Sequence, residues 1–223
     1  MTAMPMLTRL FLTIALALAS AALPAVGRAA TTPALVLDAD QQEIVKSINK
    51  RLNAIGSIQG DFVQIGPNGE RSEGRVYIQR PGKMRFEYDK PHPILIVSDG
   101  DRVAVEDRKA QTTDQYPLDL TPLRLILGEN INLGQDAEIV AVERNDNSLS
   151  VTLAEKSGRV PGQLNLLVDA ETMDLVQWTV TDAQGLQTSV ALYNMVEGKK
   201  AKPSLFYINE NIFPEQRGSQ NPR

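Results

Sequence analysis

Acidic side chains that could carry acid–base chemistry occur in this sequence mainly as close pairs. Asp99 is followed two residues later by Asp101, and Glu106 is followed directly by Asp107. Two such carboxylates could in principle serve as the acid and base of a glycosidase. Both pairs lie in predicted turns or at strand edges, however, and so does the only histidine, His92, which stands between two prolines. We therefore interpret the carboxylates as turn and edge residues, and His92 as structural or merely exposed.

Nucleophilic and metal-dependent chemistry also lack their usual residues. The sequence contains no Cys, and a single His cannot supply a multi-histidine metal site. There is no G-x-S-x-G motif, glycine-rich phosphate loop or zinc-protease motif. The sequence predicts a protein that is not an enzyme and that holds no metal ion or cofactor.

The N-terminal segment has the pattern of a signal peptide, with a short basic region before an apolar run. Residues 10–26 form that run, and at about 17 residues it is at the lower limit for a membrane span. Gly27 and Ala29 place small residues at positions −3 and −1 of a cleavage site. An uncleaved anchor is the alternative reading. We favour export, removal of residues 1–29 and a single domain spanning residues 30–223.

The charge balance of the remaining chain argues against nucleic acid as a partner. Removing 29 of the 223 residues leaves 194 residues with 21 basic and 27 acidic side chains, a net charge of −6. A nucleic-acid site requires clustered cationic residues instead. No later segment approaches 18 consecutive apolar residues, so we do not expect the mature chain to span a membrane.

One amphipathic helix is predicted near the start of this domain. Its apolar residues recur at three- and four-residue spacing: Ile44, Val45, Ile48, Leu52 and Ile55. A capping box could form between Asp38 and Gln41, or between Asp40 and Glu43. Gly56 is placed to end the helix.

From Ile58 onward the hydrophobic period changes to two, which predicts β-strands. Turn signals rich in Gly, Pro and Asn separate the apolar runs, for example at residues 66–69, 81–82 and 99–100. We count about ten or eleven strands of similar length without recurring helical spacers. The pattern predicts an antiparallel sheet curled into a sandwich, a barrel or a half-barrel.

A short apolar segment interrupts the strands. Thr121 and Pro122 are good helix-start residues, and Gly128 would end the helix after residues 123–127. This segment is apolar nearly all round, although a short helix on one sheet face can bury only one stripe. It could be a plug in the core or a lid over an apolar cavity.

The most specific signal lies in residues 74–100. Positions 80–88 read Arg-Pro-Gly-Lys-Met-Arg-Phe-Glu-Tyr, and positions 97–100 read Val-Ser-Asp-Gly. This combination resembles the LolA family, the periplasmic carriers of outer-membrane lipoproteins. The resemblance runs from about residue 40 to the end of the chain, and it is sharp over residues 58–128.

The resemblance implies a mainly β fold with some α: an unclosed, half-barrel antiparallel sheet whose concave apolar face is covered by helices as a lid. It also implies a monomeric periplasmic carrier that accepts acylated lipoproteins from an inner-membrane lipoprotein-releasing ABC transporter. Such a carrier shields the acyl chains and delivers them to the outer membrane, where a lipoprotein receptor is a further implied partner.

Within that fold, apolar residues from the helix, the strands and the lid would face one another around an acyl-chain cavity. The residues predicted to line it are Ile48, Leu52, Val76, Ile78, Met84, Phe86, Tyr88, Leu123, Ile126 and Trp178. Met is suited to a surface that accepts varied flexible chains.

Arg80 matches a family Arg that precedes Pro at a strand end. The resemblance implies that it acts as a clasp, holding the lid closed through hydrogen bonds to backbone carbonyl groups. The five N–H donors of a guanidinium suit that task, whereas a Lys could not span the same acceptors. Without the resemblance, a solvated charge at a turn would be the simpler reading.

Other functions remain open at this point. A half-barrel of this kind could sense envelope lipids or lipoproteins without transporting them. An envelope scaffold without a cavity and a hydrolase acting on envelope lipids are two further alternatives, and the missing nucleophile counts against the hydrolase.

Overall fold

The structure is a computed structural model, and it describes residues 35–156 and 161–208. The segment interpreted as a signal peptide lies outside the described residues. Its removal, and a domain boundary at residue 30, therefore stay predictions. Among the described residues, no helix combines the length and the apolar character needed to cross a bilayer.

The predicted N-terminal helix is present as α1, Ala39–Ala54. Of the two possible capping boxes, the structure contains the one in which Asp38 accepts a hydrogen bond from the Gln41 N–H at 2.8 Å. The helix ends at Ala54, with Ile55 as its C-cap in an extended conformation, so Gly56 lies beyond the cap. The four buried side chains of α1 are those at the predicted spacing: Ile44, Val45, Ile48 and Leu52.

Eleven strands follow within the described residues, in agreement with the predicted number. They are β1 Ser57–Ile65, β2 Arg71–Gln79, β3 Lys83–Tyr88, β4 Ile94–Asp99, β5 Arg102–Asp107, β6 Thr112–Pro117, β7 Glu138–Arg144, β8 Ser148–Ala154, β9 Gln163–Asp169, β10 Leu175–Thr181 and β11 Gln187–Glu197. The sixth strand has no alternating apolar residues, which is why the period of two does not reveal it.

All eleven strands form one antiparallel sheet in the order β6-β5-β4-β3-β2-β1-β11-β10-β9-β8-β7. Each strand pairs with its neighbour in the chain, except that β1 pairs with β11 and no pairing joins β6 to β7 within the described residues. The sheet is therefore open, with β6 and β7 as its edges. This confirms the predicted half-barrel and excludes the sandwich and the closed barrel.

Helix α1 lies against one face of this sheet, which we call the inner face. Near its N-terminus, Arg144 of β7 pairs with Asp40 at 3.2 Å. Near its C-terminus, Arg51 pairs with Glu197 at the end of β11. The inner-face side chains of strands at both ends of the sheet join the buried α1 residues in one apolar core.

The segment between β6 and β7 also covers the inner face, and we call residues 118–137 the lid. It contains a 3₁₀ turn, Leu118–Leu120, and two short helices, α2 Arg124–Leu127 and α3 Leu133–Asp136. The predicted cap is wrong, because the Thr121 hydroxyl donates backwards to the Leu118 carbonyl at 2.8 Å. The helical segment instead begins with backbone hydrogen bonds of the 3₁₀ type, such as the one from Arg124 N–H to Thr121 O at 3.3 Å.

The outer face of the sheet carries a smaller apolar cluster. Ile208, just after a second 3₁₀ turn at Pro203–Phe206, packs on Leu95, Val97 and Ala104. Arg85 of β3 holds this segment by donating from Nη1 to the Leu205 carbonyl at 3.0 Å. The C-terminal part of the described chain is thus bound to the face opposite the lid.

Candidate functional site

The side chains predicted to surround the cavity all belong to the inner-face core. Leu123 is partly buried in this core. The other nine are buried there: Ile48, Leu52, Val76, Ile78, Met84, Phe86, Tyr88, Ile126 and Trp178. Their strand positions explain the grouping, because Val76 pairs with Phe86 and Ile78 pairs with Met84 across β2 and β3. Directly opposed residues of antiparallel strands place their side chains on the same face.

One part of this core is filled by aromatic rings. Phe62 meets Phe86 at 4.7 Å and Tyr88 at 5.0 Å between ring centroids, both edge to face. Phe86 in turn meets Trp178 at 5.9 Å. The Tyr88 hydroxyl donates to Gln64 Oε1 at 2.7 Å, and burial raises the pKa of that hydroxyl. The three aromatic side chains around Phe86 are thus buried and in mutual edge-to-face contact.

A cavity of about 240 Å³ lies between the C-terminal end of α1, the lid and the sheet. Three of the predicted cavity residues line it, Leu52, Ile78 and Ile126, together with Arg80, the predicted clasp. The other predicted residues lie in the surrounding packed core and do not reach its wall. The structure therefore brings the predicted residues together on the inner face, and their role in binding acyl chains stays a prediction.

Several lining residues were not predicted. They are Ile55, Ile58, Asp174, Leu175, Val176, Leu192, Met195 and Glu197. The apolar members come from the ends of α1, β1, β10 and β11, which meet because β1 pairs with β11. Their alternation was visible in the sequence, but the pairing that joins the first strand to the last was not.

Arg80 lies between α1 and the lid. Its backbone N–H donates to Gly56 O at 2.9 Å, and its side chain donates from Nη2 to Asn53 O at 3.3 Å. The Nε and Nη1 atoms are inaccessible to solvent and have no hydrogen-bond partner. Burial lowers the pKa of this guanidinium. A role as lid clasp stays a prediction, because the carbonyl that it contacts belongs to α1.

Backbone and amide groups attach the lid to the rest of the molecule. Gly82, in the turn after Arg80, donates its N–H to Leu127 O at 2.8 Å. Asn53 of α1 donates from Nδ2 to Ile131 O at 2.7 Å and accepts from the Ile131 N–H at 2.9 Å. Asn49, one turn earlier, accepts from the Leu133 N–H at 3.0 Å. Neither asparagine is marked by a pattern in the sequence.

Two acidic residues of the cavity wall, Asp174 and Glu197, belong to an ion-pair network. Arg51 donates from Nε to Asp174 Oδ1 at 2.6 Å and from Nη1 to Glu197 Oε2 at 3.2 Å. Its Nη2 contacts Glu197 as well, so the guanidinium binds that carboxylate through two nitrogens. These bonds raise the pKa of Arg51 against an opposing effect of burial. Both acidic residues of the cavity wall are thereby bound to Arg51.

His92 lies at a separate place, stacked on the Tyr88 ring at 4.5 Å between centroids. Burial lowers the pKa of its imidazole, and the nearby Asp107 carboxylate opposes that effect. Within the described ranges, no three His, Cys, Asp or Glu side chains come together as a metal-binding group. The position of His92 fits the structural role expected from the sequence.

The open eleven-stranded sheet, the apolar inner face and the attached lid define a half-barrel protein with a lidded interior. The family model "Outer membrane lipoprotein carrier protein LolA" matches residues 53–209, and the chain belongs to this family.

Relatives with the same description support this assignment. A protein named outer-membrane lipoprotein carrier protein from Chromohalobacter salexigens is 29% identical over 150 residues, which cover 63% of this chain and 70% of the relative. A relative of that name from Methylococcus capsulatus is 29% identical over 167 residues, covering 71% and 79% of the two chains.

Solved structures with a related outline include a LolA superfamily protein from Nitrosomonas europaea, with a TM-score of 0.44, 11% identity and coverage of 75% of this chain and 97% of that one. A putative outer membrane lipoprotein-sorting protein domain from Vibrio parahaemolyticus gives a TM-score of 0.44 and 8% identity, with coverage of 79% and 98%.

Proposed function

We propose that this protein is a periplasmic carrier that shields the acyl chains of lipoproteins and delivers them to the outer membrane. The observation that carries the proposal is the lidded apolar interior in a chain of the LolA family. The two relatives compared above are both named outer-membrane lipoprotein carrier proteins. The absence of a nucleophile constellation in the sequence is consistent with transport without chemistry on the carrier.

The energetics of acyl-chain burial set a condition on any such carrier. One chain of about 16 carbons gains roughly 12 kcal/mol on complete burial, at about 0.8 kcal/mol per methylene. Three chains would then gain about 36 kcal/mol, whereas non-covalent affinities saturate near 20 kcal/mol. A carrier that buried every chain without an opposing cost could not release its cargo.

The closed structure supplies such a cost. Its cavity of about 240 Å³ is smaller than the usual small-ligand pocket of roughly 300 to 1,000 Å³. The lid residues Leu125, Ile126 and Leu127 are buried against the sheet. Acyl chains must displace these side chains to enter, so cargo competes with the protein's own apolar groups. The net affinity of the carrier for its cargo is correspondingly lower. Release then requires only that the cargo bind slightly more favourably to the acceptor.

Arg80 is proposed as one of the groups that favour the closed form. Its side chain lies beside the lid residue Ile126 in the cavity wall and bonds to the last turn of α1. The neighbouring Gly82 bonds directly to the end of α2. Displacement of the lid would therefore disturb the turn that holds Arg80, which couples opening to the surroundings of the guanidinium.

The proposed transport of lipoproteins requires two partner proteins. An inner-membrane lipoprotein-releasing ABC transporter would load a monomeric carrier, and an outer-membrane receptor would accept the cargo. Export by removal of residues 1–29 would leave the mature protein free to move between the membranes. A sensing domain without transport would bind lipoproteins but would not pass them on.

Binding and transfer can be tested with the exported protein. Carrier isolated from the periplasm should co-purify with triacylated lipoproteins, identified by mass spectrometry. It should also bind a fluorescent fatty-acid probe and transfer a lipoprotein to outer-membrane vesicles. Absence of probe binding and of lipoprotein cargo would refute the proposal, and binding without transfer would favour the sensing role.

A further inference from the structure

The residues that line the cavity differ in how far they are exposed to solvent. The buried ones come from α1, β2 and the lid: Leu52, Ile78 and Ile126. The apolar ones from β10 and β11 are all partly exposed: Leu175, Val176, Leu192 and Met195. Glu197, the last residue of β11, is the one lining residue that is exposed. The cavity therefore approaches solvent where the ends of β10 and β11 face α1.

Arg51 joins the last turn of α1 to both of these strands. It donates from Nε to Asp174, the residue before β10, at 2.6 Å, and from Nη1 to Glu197 at 3.2 Å. The side chains of Asp174 and Glu197 are 43% and 42% exposed, and that of Arg51 is 23% exposed. Water can therefore solvate all three charged groups again when α1 moves away from the strands.

The lid is attached to the molecule by contacts of another kind. Asn53 makes two part-buried hydrogen bonds with the backbone of Ile131, at 2.7 and 2.9 Å, and the three consecutive residues 125–127 are buried against the sheet. Lifting the lid would break these bonds and expose apolar side chains, and both changes are unfavourable. Partly exposed ion pairs contribute little net stability, because water replaces them. Separation of α1 from β10 and β11 is thus the less costly opening.

We propose that Arg51 is a gate through which acyl chains enter and leave the cavity, an inference that rests on the proposed carrier function. When its bonds to Asp174 and Glu197 break, the last turn of α1 separates from the strand ends and opens the cavity. The acyl chain enters along the apolar side chains of β10 and β11 and displaces the lid residues from inside. The ion pairs then form again, so Arg51 controls the rate of exchange and not the affinity.

Stopped-flow kinetics with an uncharged probe isolate the gate. The probe is a monoacylglycerol that carries nitrobenzoxadiazole on its acyl chain, and its lack of charge excludes electrostatic steering by Arg51. Arg51→Met removes the whole network, whereas Glu197→Gln removes one of its two pairs with a smaller change in packing. Arg144→Met is the matched control, because it removes the ion pair with Asp40 that joins the other end of α1 to β7 at 3.2 Å.

We expect Arg51→Met to raise the association and dissociation rate constants together by about threefold to tenfold, as loss of two partly exposed ion pairs would. The Kd should stay unchanged. Glu197→Gln should give a smaller rise, and Arg144→Met should have the wild-type rates. In the wild-type protein both rates should increase with ionic strength, since salt screens partly exposed charges. That dependence should be absent in Arg51→Met.

Three results would overturn the gate while leaving the carrier function in place. The first is wild-type rates in Arg51→Met. The second is an equal rise in Arg51→Met and Arg144→Met, which would indicate a general loosening of α1. The third is a change in only one of the two rate constants, because Arg51 would then act on the affinity. Failure of the wild-type protein to bind the probe would refute the carrier function itself.

Reversible cross-links test the route of entry directly, because the chain contains no cysteine. The double variant Arg51→Cys/Glu197→Cys is bridged with a bis-methanethiosulfonate reagent, and Asp40→Cys/Arg144→Cys is bridged in the same way as the control. The first bridge should block entry of the probe until dithiothreitol removes it, and the control bridge should not. Entry at the unbridged rate while residues 51 and 197 are bridged would overturn the proposed route.

Discussion

Gly82 donates its backbone N–H to the carbonyl oxygen of Leu127 at 2.8 Å, which joins the β2–β3 turn to the last residue of the lid helix α2. Gly82 has a φ of +73°, and a Cβ at this position would lie 2.6 Å from Gly100 Cα. The attachment of the lid thus depends on a turn that only glycine can form without displacement of its neighbours.

Gly82→Ala should lower the free energy of unfolding by about 1 to 3 kcal/mol, because both the left-handed backbone and the contact with Gly100 become strained. Urea unfolding followed by the fluorescence of Trp178, the only tryptophan, measures the loss. The matched control is Gly185→Ala, since Gly185 has a φ of +81° but a Cβ added there would meet nothing within 4 Å. Equal losses in the two variants would contradict a role for the close contact.

Asn53→Ala should loosen the lid beyond α2, because it removes both hydrogen bonds between Asn53 and the backbone of Ile131. The loss of stability should be about 1 to 3 kcal/mol, since two part-buried backbone groups lose their partner. Hydrogen exchange at the Ile131 amide should become faster. Asn49→Ala, as the comparison, should accelerate exchange at Leu133 instead. Unchanged exchange at Ile131 in Asn53→Ala would show that the lid is held by other contacts.

Leu192→Glu should reduce the affinity for a fluorescent fatty-acid probe at least about tenfold, because a carboxylate in the cavity wall opposes burial of hydrocarbon. Ala191→Glu is the control, since adjacent residues of a strand point to opposite faces. Circular dichroism establishes that both variants are folded. Unchanged probe affinity in Leu192→Glu would place the acyl chains elsewhere.

Arg80→Leu should favour the open form and retain cargo, because the proposed clasp is lost. Transfer of a bound lipoprotein to outer-membrane vesicles should then be slower than for the wild-type protein. Arg75→Leu removes an exposed cation from the outer face and should transfer at the wild-type rate. Equal transfer rates for Arg80→Leu and the wild-type protein would refute the clasp.

Glu106→Gln should make the protein more stable at neutral pH. Burial raises the pKa of the Glu106 carboxyl above its ordinary value of 4.5, although Arg108 and Arg85 oppose the shift. The side chain is 2% exposed, and its Oε2 has no hydrogen-bond partner.

When folding raises the pKa of a carboxyl, ionisation of that carboxyl destabilises the folded state. The resulting loss of stability is absent at low pH and grows as the pH rises. The gain from Glu106→Gln should therefore be negligible below about pH 4 and complete above the pKa of the folded protein. Denaturation midpoints measured from pH 4 to pH 8 test this, and a gain that does not depend on pH would contradict it.

Local patterns in the sequence were sufficient to predict the helix, the number of strands and the face of each strand that is buried. The spacing from Ile44 to Leu52 allows only one apolar stripe on α1, and alternation assigns Val76 and Phe86 to the same side of the sheet. These features depend on backbone geometry within a few residues, which the order of side chains expresses directly. The family resemblance added the open sheet and the lid.

Tertiary structure alone decided which buried residues line the cavity and what Arg80 contacts. Ile78 reaches the cavity and Met84, its cross-strand partner, does not, although both have the same period and polarity. The difference arises because α1, the lid and β11 cover the inner face unevenly, and their positions depend on contacts such as Asn53 with Ile131, 78 residues apart. A periodic pattern specifies the face on which a side chain lies, but only the packing of distant elements specifies whether that face is filled or open.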